Sequence, residues 1–248
     1  MTGSMALEPY ASHSEALVQA VQNGDTDTVR ALIPTCKHRA FNSTLLGTAA
    51  GAGYLEIVRL LIPVCDPKAN DSSALTLAAT NGHRDVVRAL IPVSDINVHK
   101  GKGCTALLWA AFNGHAEVVR ELMTVSGPRL NDSKALLAAA QNADEHIVAE
   151  LAPVSDVASV FRIELANAQL DARQVIDPLC IEHSLIAVDT LFPHVSEEER
   201  DRALAELPPA VVTRLPRLSA WHQARVLQTR LPPVALEGSG RRRRRRCL

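Results

Sequence analysis

TALLWAAFNGHAEVVRELM, from Thr105 to Met123, is the stretch that decides the fold, because the chain says it five times. Before it stand SALTLAATNGHRDVVRALIP (73–92), TLLGTAAGAGYLEIVRLLIP (44–63) and EALVQAVQNGDTDTVRALIP (15–34). After it comes KALLAAAQNADEHIVAELAP (134–153). The shared turn position falls at Gly24, Gly53, Gly82, Gly114 and Ala143, giving spacings of 29, 29, 32 and 29 residues. A fixed period in this range marks a solenoid, in which each unit buries its apolar face only against its neighbours. Solenoids usually bind partners rather than perform chemistry.

Each unit reads as helix, tight turn, helix. Leu107, Ala110 and Ala111 recur at i, i+3 and i+4, one face of a first helix. Asn113-Gly114 breaks that helix, since glycine tolerates the positive φ that a C-cap favours. The second helix, about Ala116 to Met123, turns Val118, Val119 and Leu122 inward. Its equivalents carry Val29, Leu32 and Ile33, then Ile57, Val58, Leu61 and Ile62, then Val86, Val87, Leu90 and Ile91. Pro34, Pro63, Pro92 and Pro153 end these helices.

Composition agrees. Of 248 residues 47% are hydrophobic but only 3% aromatic, so the core must be Ala, Leu, Val and Ile, which suits thin, closely stacked helices. Arg241–Arg246 supply six positive charges and hide an acidic body: residues 1–240 carry 20 basic against 27 acidic side chains, a net of −7. Such a body is a poor match to a phosphate backbone, so nucleic acid is not the expected partner. No apolar run approaches the ~20 residues of a membrane span, and MTGSMALEPYASHSE lacks the charge and apolar pattern of a secretory signal. The five cysteines (Cys36, Cys65, Cys104, Cys180, Cys247) show no metal-ligand spacing and read as reduced thiols.

Residues 105–122 resemble the ankyrin repeat, whose pattern is TPLHxAAxxGHxxVVxxLL, with Ala106 and Leu108 standing where that pattern has Pro and His. Asp95–Cys104, with Lys100-Gly101-Lys102-Gly103, is similar to the ankyrin connecting finger. The resemblance covers about residues 12–162 and implies an all-α ankyrin solenoid. Most units are 29 residues rather than 33, so most fingers are expected to be clipped. The recurring LIPV(S/C)D ending resembles short-finger arrays of bacterial proteins, secreted effectors among them. That implies a cytoplasmic protein, either in its own cell or in a host's after secretion.

Beyond the repeats the match decays. Cys180–Pro193 overlays Ala79–Pro92 at a constant offset of 101 and suggests a degenerate sixth unit, after a helical insert at 157–173. Ser196-Glu197-Glu198-Glu199 is a capping-box start for a helix to about Leu207, and a last helix is expected over Ala220–Arg230. The expected organisation is a flexible segment at 1–11, five repeats at 12–162, insert plus degenerate repeat at 163–193, a C-terminal helical cap at 194–235, and a disordered Arg-rich tail at 236–248. The tail could be attracted to an anionic membrane, with Cys247 as a lipid carrier, or could simply be a solvated linker-like end. The N-terminal face around Leu17 and Val21 is open to pairing with another chain.

No P-loop, GxSxG or HExxH motif occurs, and neither metal nor cofactor is expected. The resemblance gives His83 and His115 a structural role at the turns. It also aims three positions of each first helix into the concave side. The candidate partner-binding residues are Leu77, Thr80, Asn81, Trp109, Phe112, Asn113, Gln141 and Asn142, with Lys100 and Lys102 on the finger. Exposed aromatics in a groove are typical anchors; alternatively, Trp109 packs sideways on Leu77 and stiffens the stack. The expected function is a non-catalytic scaffold that holds another protein. The competing expectation is an adaptor, because LPPAVVTRL at 207–215 followed by Trp221 and Arg225 is similar to an F-box that docks onto a ubiquitin ligase.

Overall fold

The computed structural model describes residues 8–35, 42–96, 105–125, 132–171 and 178–230, and no strand occurs among them. Five helix pairs come first: α1 (Glu8–Asn23) with α2 (Thr26–Leu32), α3 (Asn42–Gly51) with α4 (Leu55–Leu61), α5 (Ala69–Thr80) with α6 (Arg84–Leu90), α7 (Thr105–Phe112) with α8 (Ala116–Met123), and α9 (Asp132–Gln141) with α10 (Glu145–Leu151). First helices pack on first helices and second on second along the chain. This is the all-α solenoid that the period requires.

Alanine makes the stacking possible. Ala49-Ala50, Ala78-Ala79, Ala110-Ala111 and Ala139-Ala140 are all fully buried, and their small side chains allow close approach between helices. The second helices supply the bulk: Ile57, Val58 and Leu61, with their equivalents in the next three pairs, are at most 1% exposed. Each fully buried side chain of this size contributes about 1.5–3 kcal/mol. Ile33, Ile62 and Ile91, read as inward-facing, are only half-buried, because each lies at its helix's C-cap. Leu17 and Val21 are buried within the chain and do not form an open face.

The turns fit the sequence register. Gly24, Gly53, Gly82 and Gly114 have φ of 72–79°, and Ala143 takes 57° at the same place. Seven residues, 62–68, link α4 to α5, so that finger is clipped as expected. Lys100, Lys102 and the other finger residues from 97 to 104 lie outside the described residues, as do the segments 1–7 and 231–248.

Three readings of the C-terminal third need correction. An offset of 101 carries the Asn81-Gly82 turn to Glu182-His183 in the sixth unit, yet α12 (Pro178–Leu191) runs through it unbroken. Neither residue is a helix breaker, and no glycine is present to take a positive φ. The helical insert is α11 (Val157–Asp171), which crosses position 162 and packs along α12 as the other half of the last layer. The final helix, α15 (Pro216–Arg230), begins four residues earlier than expected. Proline's fixed φ suits a first helical position, and Asp189 of α12 accepts the Arg217 amide at 2.9 Å, capping the helix from outside.

Between them lie α13 (Glu197–Glu206) and α14 (Pro209–Val212). Ser196 Oγ caps α13 by accepting the Glu199 amide at 3.3 Å, as its sequence requires. The Glu199 carboxylate turns to Arg202 (3.2 Å) and Arg162 (3.6 Å). Leu207, Leu215 and Leu218 are buried, and Trp221 meets Phe192 edge-on at 5.9 Å.

Candidate functional site

The first helices have a buried Ala-Ala pair flanked by positions that face away from the second helices. On α5 and α7 those positions hold Leu77, Trp109 and Phe112, which are 44%, 42% and 50% exposed. Only seven large apolar side chains are exposed among the described residues, and three of them sit on these two adjacent helices. Trp109 and Phe112 lie one turn apart, and their rings meet edge to face with centroids 5.7 Å apart. Leu77 lies over two glycines of α3: its Cδ1 would be 3.2 Å from a Cβ at Gly47, and its Cβ 3.6 Å from one at Gly51. The result is an exposed apolar patch on adjacent first helices.

The polar candidates have different work. Asn81 donates through Nδ2 to the Gly51 carbonyl at 2.6 Å, and Asn142 donates likewise to the carbonyl of Phe112. Both bonds tie a layer to the one before it. Asn113 donates within its own helix, to the Trp109 carbonyl at 2.9 Å. The Thr80 hydroxyl donates to the Thr76 carbonyl at 2.7 Å. Gln141 is half-buried on α9. Sequence reasoning places all of these on one face, but it does not reveal that the amide donors of the asparagines are committed to the backbone.

The histidines hold the turns together. His83 Nε2 lies 3.0 Å from the Gly51 carbonyl oxygen, and His115 Nε2 lies 2.9 Å from that of Thr80. Each ring also covers the preceding turn glycine: a Cβ on Gly53 would lie 2.6 Å from His83 Nδ1, and one on Gly82 would lie 2.7 Å from His115 Nδ1. Tyr54 does the same for Gly24, at 2.8 Å, a role the sequence analysis missed although the register shows it. The same position is aspartate in the first and fifth units. Asp25 caps α2 through the Thr28 amide (3.1 Å), and Asp144 caps α10 through the Ile147 amide (3.1 Å). The hydroxyl and amide of Thr28 hold the Asp25 carboxyl below its ordinary value.

The second helices α6, α8 and α10 are laced by ion pairs. Arg84 reaches Glu117 and Glu121, both at 2.7 Å, Arg88 also binds Glu121, and Arg120 joins Glu117 (3.2 Å) to Glu150. The Arg88 and Arg84 guanidiniums hold the Glu121 carboxyl below the usual range. Cys65 is a free, half-buried thiol pushed up to about 11 by burial, which leaves little reactive thiolate at neutral pH. The Cys36, Cys104, Cys180 and Cys247 side chains lie outside the described residues. Among the described residues no group of three or more His, Cys, Asp or Glu gathers to hold a metal, and no helix is long and apolar enough to cross a membrane.

The comparisons with known proteins agree with this geometry. A model of three consecutive ankyrin repeats matches residues 17–100, and a single ankyrin-repeat model matches residues 102–133. No curated protein matches the chain. The fifth unit lies beyond both matches but keeps the helix pair, the turn and the Asn142 tie. With its period, stacked helix pairs and ring-covered turns, the chain is an ankyrin-repeat protein, and its repeats form a protein-interaction module.

Proposed function

We propose that this protein holds a partner protein on the concave face of its first helices, anchored by Leu77, Trp109 and Phe112, and that it does so as a rigid frame with no catalysis of its own. The observation that carries this reading is the clustering of three half-exposed large apolar side chains on α5 and α7. The floor's polar groups are largely engaged within the array, so recognition rests on shape and apolar burial. A pre-formed surface loses little ordering entropy on binding.

The test is capture from cell lysate with cross-linking and mass spectrometry, wild type beside Trp109→Ala/Phe112→Ala. Aromatic anchors of this kind each contribute about 2 kcal/mol or more, so the double variant should weaken capture by about 1,000-fold while leaving helicity intact. Equal capture by both proteins refutes the groove. The adaptor reading of residues 207–230 competes with a capping role. Burial of Leu207, Leu215 and Leu218 in the chain's own core supports the cap, because those leucines are not free to dock elsewhere.

A further inference from the structure

A cleft of about 370 Å³ lies where the turn of the fifth unit, one stripe of α12 and the start of α15 meet. That volume falls in the range of small-ligand sites, which favour such junctions between separately packed elements. Its apolar floor is Leu185, Ile186 and Pro216. Two of its acids are already used: the Arg217 guanidinium binds Glu145 and approaches Asp189 at 3.9 Å, and the Arg217 amide donates to Asp189. Two charges remain. Glu182 and Arg214 both line the cleft and are exposed, and the side chain of neither has an ion-pair or hydrogen-bond partner among the described residues. Opposite charges thus share one cleft without neutralising each other.

We propose that this cleft binds a small zwitterion with an aliphatic body, of the α-amino-acid class. Its carboxylate pairs with the fork of Arg214, its ammonium with Glu182, and its alkyl group covers Ile186 and Pro216. The charge pattern selects this class over the alternatives. A purely anionic ligand would meet Glu182 beside Glu145 and Asp189. A purely cationic one would meet Arg214 and Arg217, and a neutral apolar one would leave both free charges unmatched. The walls belong to the fifth unit, the last layer and the cap, so the ligand would also fasten the cap to the array. This site is independent of Trp109 and Phe112.

The experiment is titration calorimetry on the full chain with L-leucine, L-leucinamide and N-acetyl-L-leucine, repeated with Arg214→Ala and Glu182→Gln. L-leucine should bind in the millimolar range, as suits so small a ligand. Removing its carboxylate or its ammonium should weaken binding by about tenfold or more, since each removes a charge-assisted bond. Each variant should reproduce the loss of the matching ligand group, with Arg214→Ala leaving leucinamide binding unchanged. Both substituted side chains are exposed, so circular dichroism should show both variants folded. Absence of binding by wild type at about 10 mM leucine overturns the proposal, and so does leucine binding that neither variant alters.

Discussion

Ala143 is the residue at which the array departs from its own rule: a methyl group sits at φ 57° where the other four turns place glycine. A left-handed L-residue costs about 1–2 kcal/mol, so Ala143→Gly should stabilise the fifth unit by about 1 kcal/mol, read as slower amide exchange in α9 and α10. The reverse change separates two effects. Gly114→Ala incurs the backbone cost alone, since the nearest group to its Cβ, Asp144 Oδ2, is at an ordinary 3.5 Å. Gly82→Ala incurs that cost and also displaces the His115 ring from the Thr80 carbonyl, adding about 1 kcal/mol or more. Denaturant unfolding should therefore rank Gly82→Ala below Gly114→Ala, and equal losses would mean that the ring is not a structural lid. At this scale the sequence is partly legible. Glycine at each turn is readable from its spacing. Asn81 reads only as exposed and polar, because the carbonyl it serves lies 30 residues earlier in the chain.

Ion pairs join the second helices α6, α8 and α10 on their outer side, and that has a pH consequence. The Glu121 carboxyl is held below its ordinary value by Arg88 and Arg84, as the Asp25 carboxyl is by Thr28. A depressed folded value means that the stabilisation is complete above the unfolded value near 4.5 for Glu121, and is lost as pH falls through the lower folded one. Stability should therefore fall on acidification below about pH 4.5, and Glu121→Gln should be less stable at neutral pH with a shallower acid limb. Thermal melts between pH 3 and 7 check this, and an unchanged acid limb in the variant would remove Glu121 from the account. The last layer shows why its elements were harder to read. A match of fourteen residues at offset 101 carried the apolar pattern of a repeat but no turn former, and helix continuation through His183 prevailed. The start of α15 was missed because Asp189, which caps it, belongs to a helix 25 residues upstream.

As a whole the molecule is a one-dimensional stack, and its order should decline from any end left open. Removal of residues 196–248 takes away Leu207, Leu215 and Leu218, the Trp221 contact with Phe192, and the α15 helix that Asp189 caps. Hydrogen exchange should then quicken in α11 and α12 first and leave α3 to α6 protected. Uniform quickening across the array would show instead that it opens as one block. The period made the architecture and the composition of its core readable in advance. The groove was legible as a set of positions, but which side chains remain open emerged only when neighbouring layers were in place. The rings over the turns also give the chain a direction of growth. Every middle unit brings a bulky plug and offers an empty socket, so a copy of residues 73–104 can be inserted wherever the unit before it follows its first helix with a turn glycine. Behind Ala143 the socket is already filled by a methyl group, and lengthening the array there first requires the plug or the alanine to change.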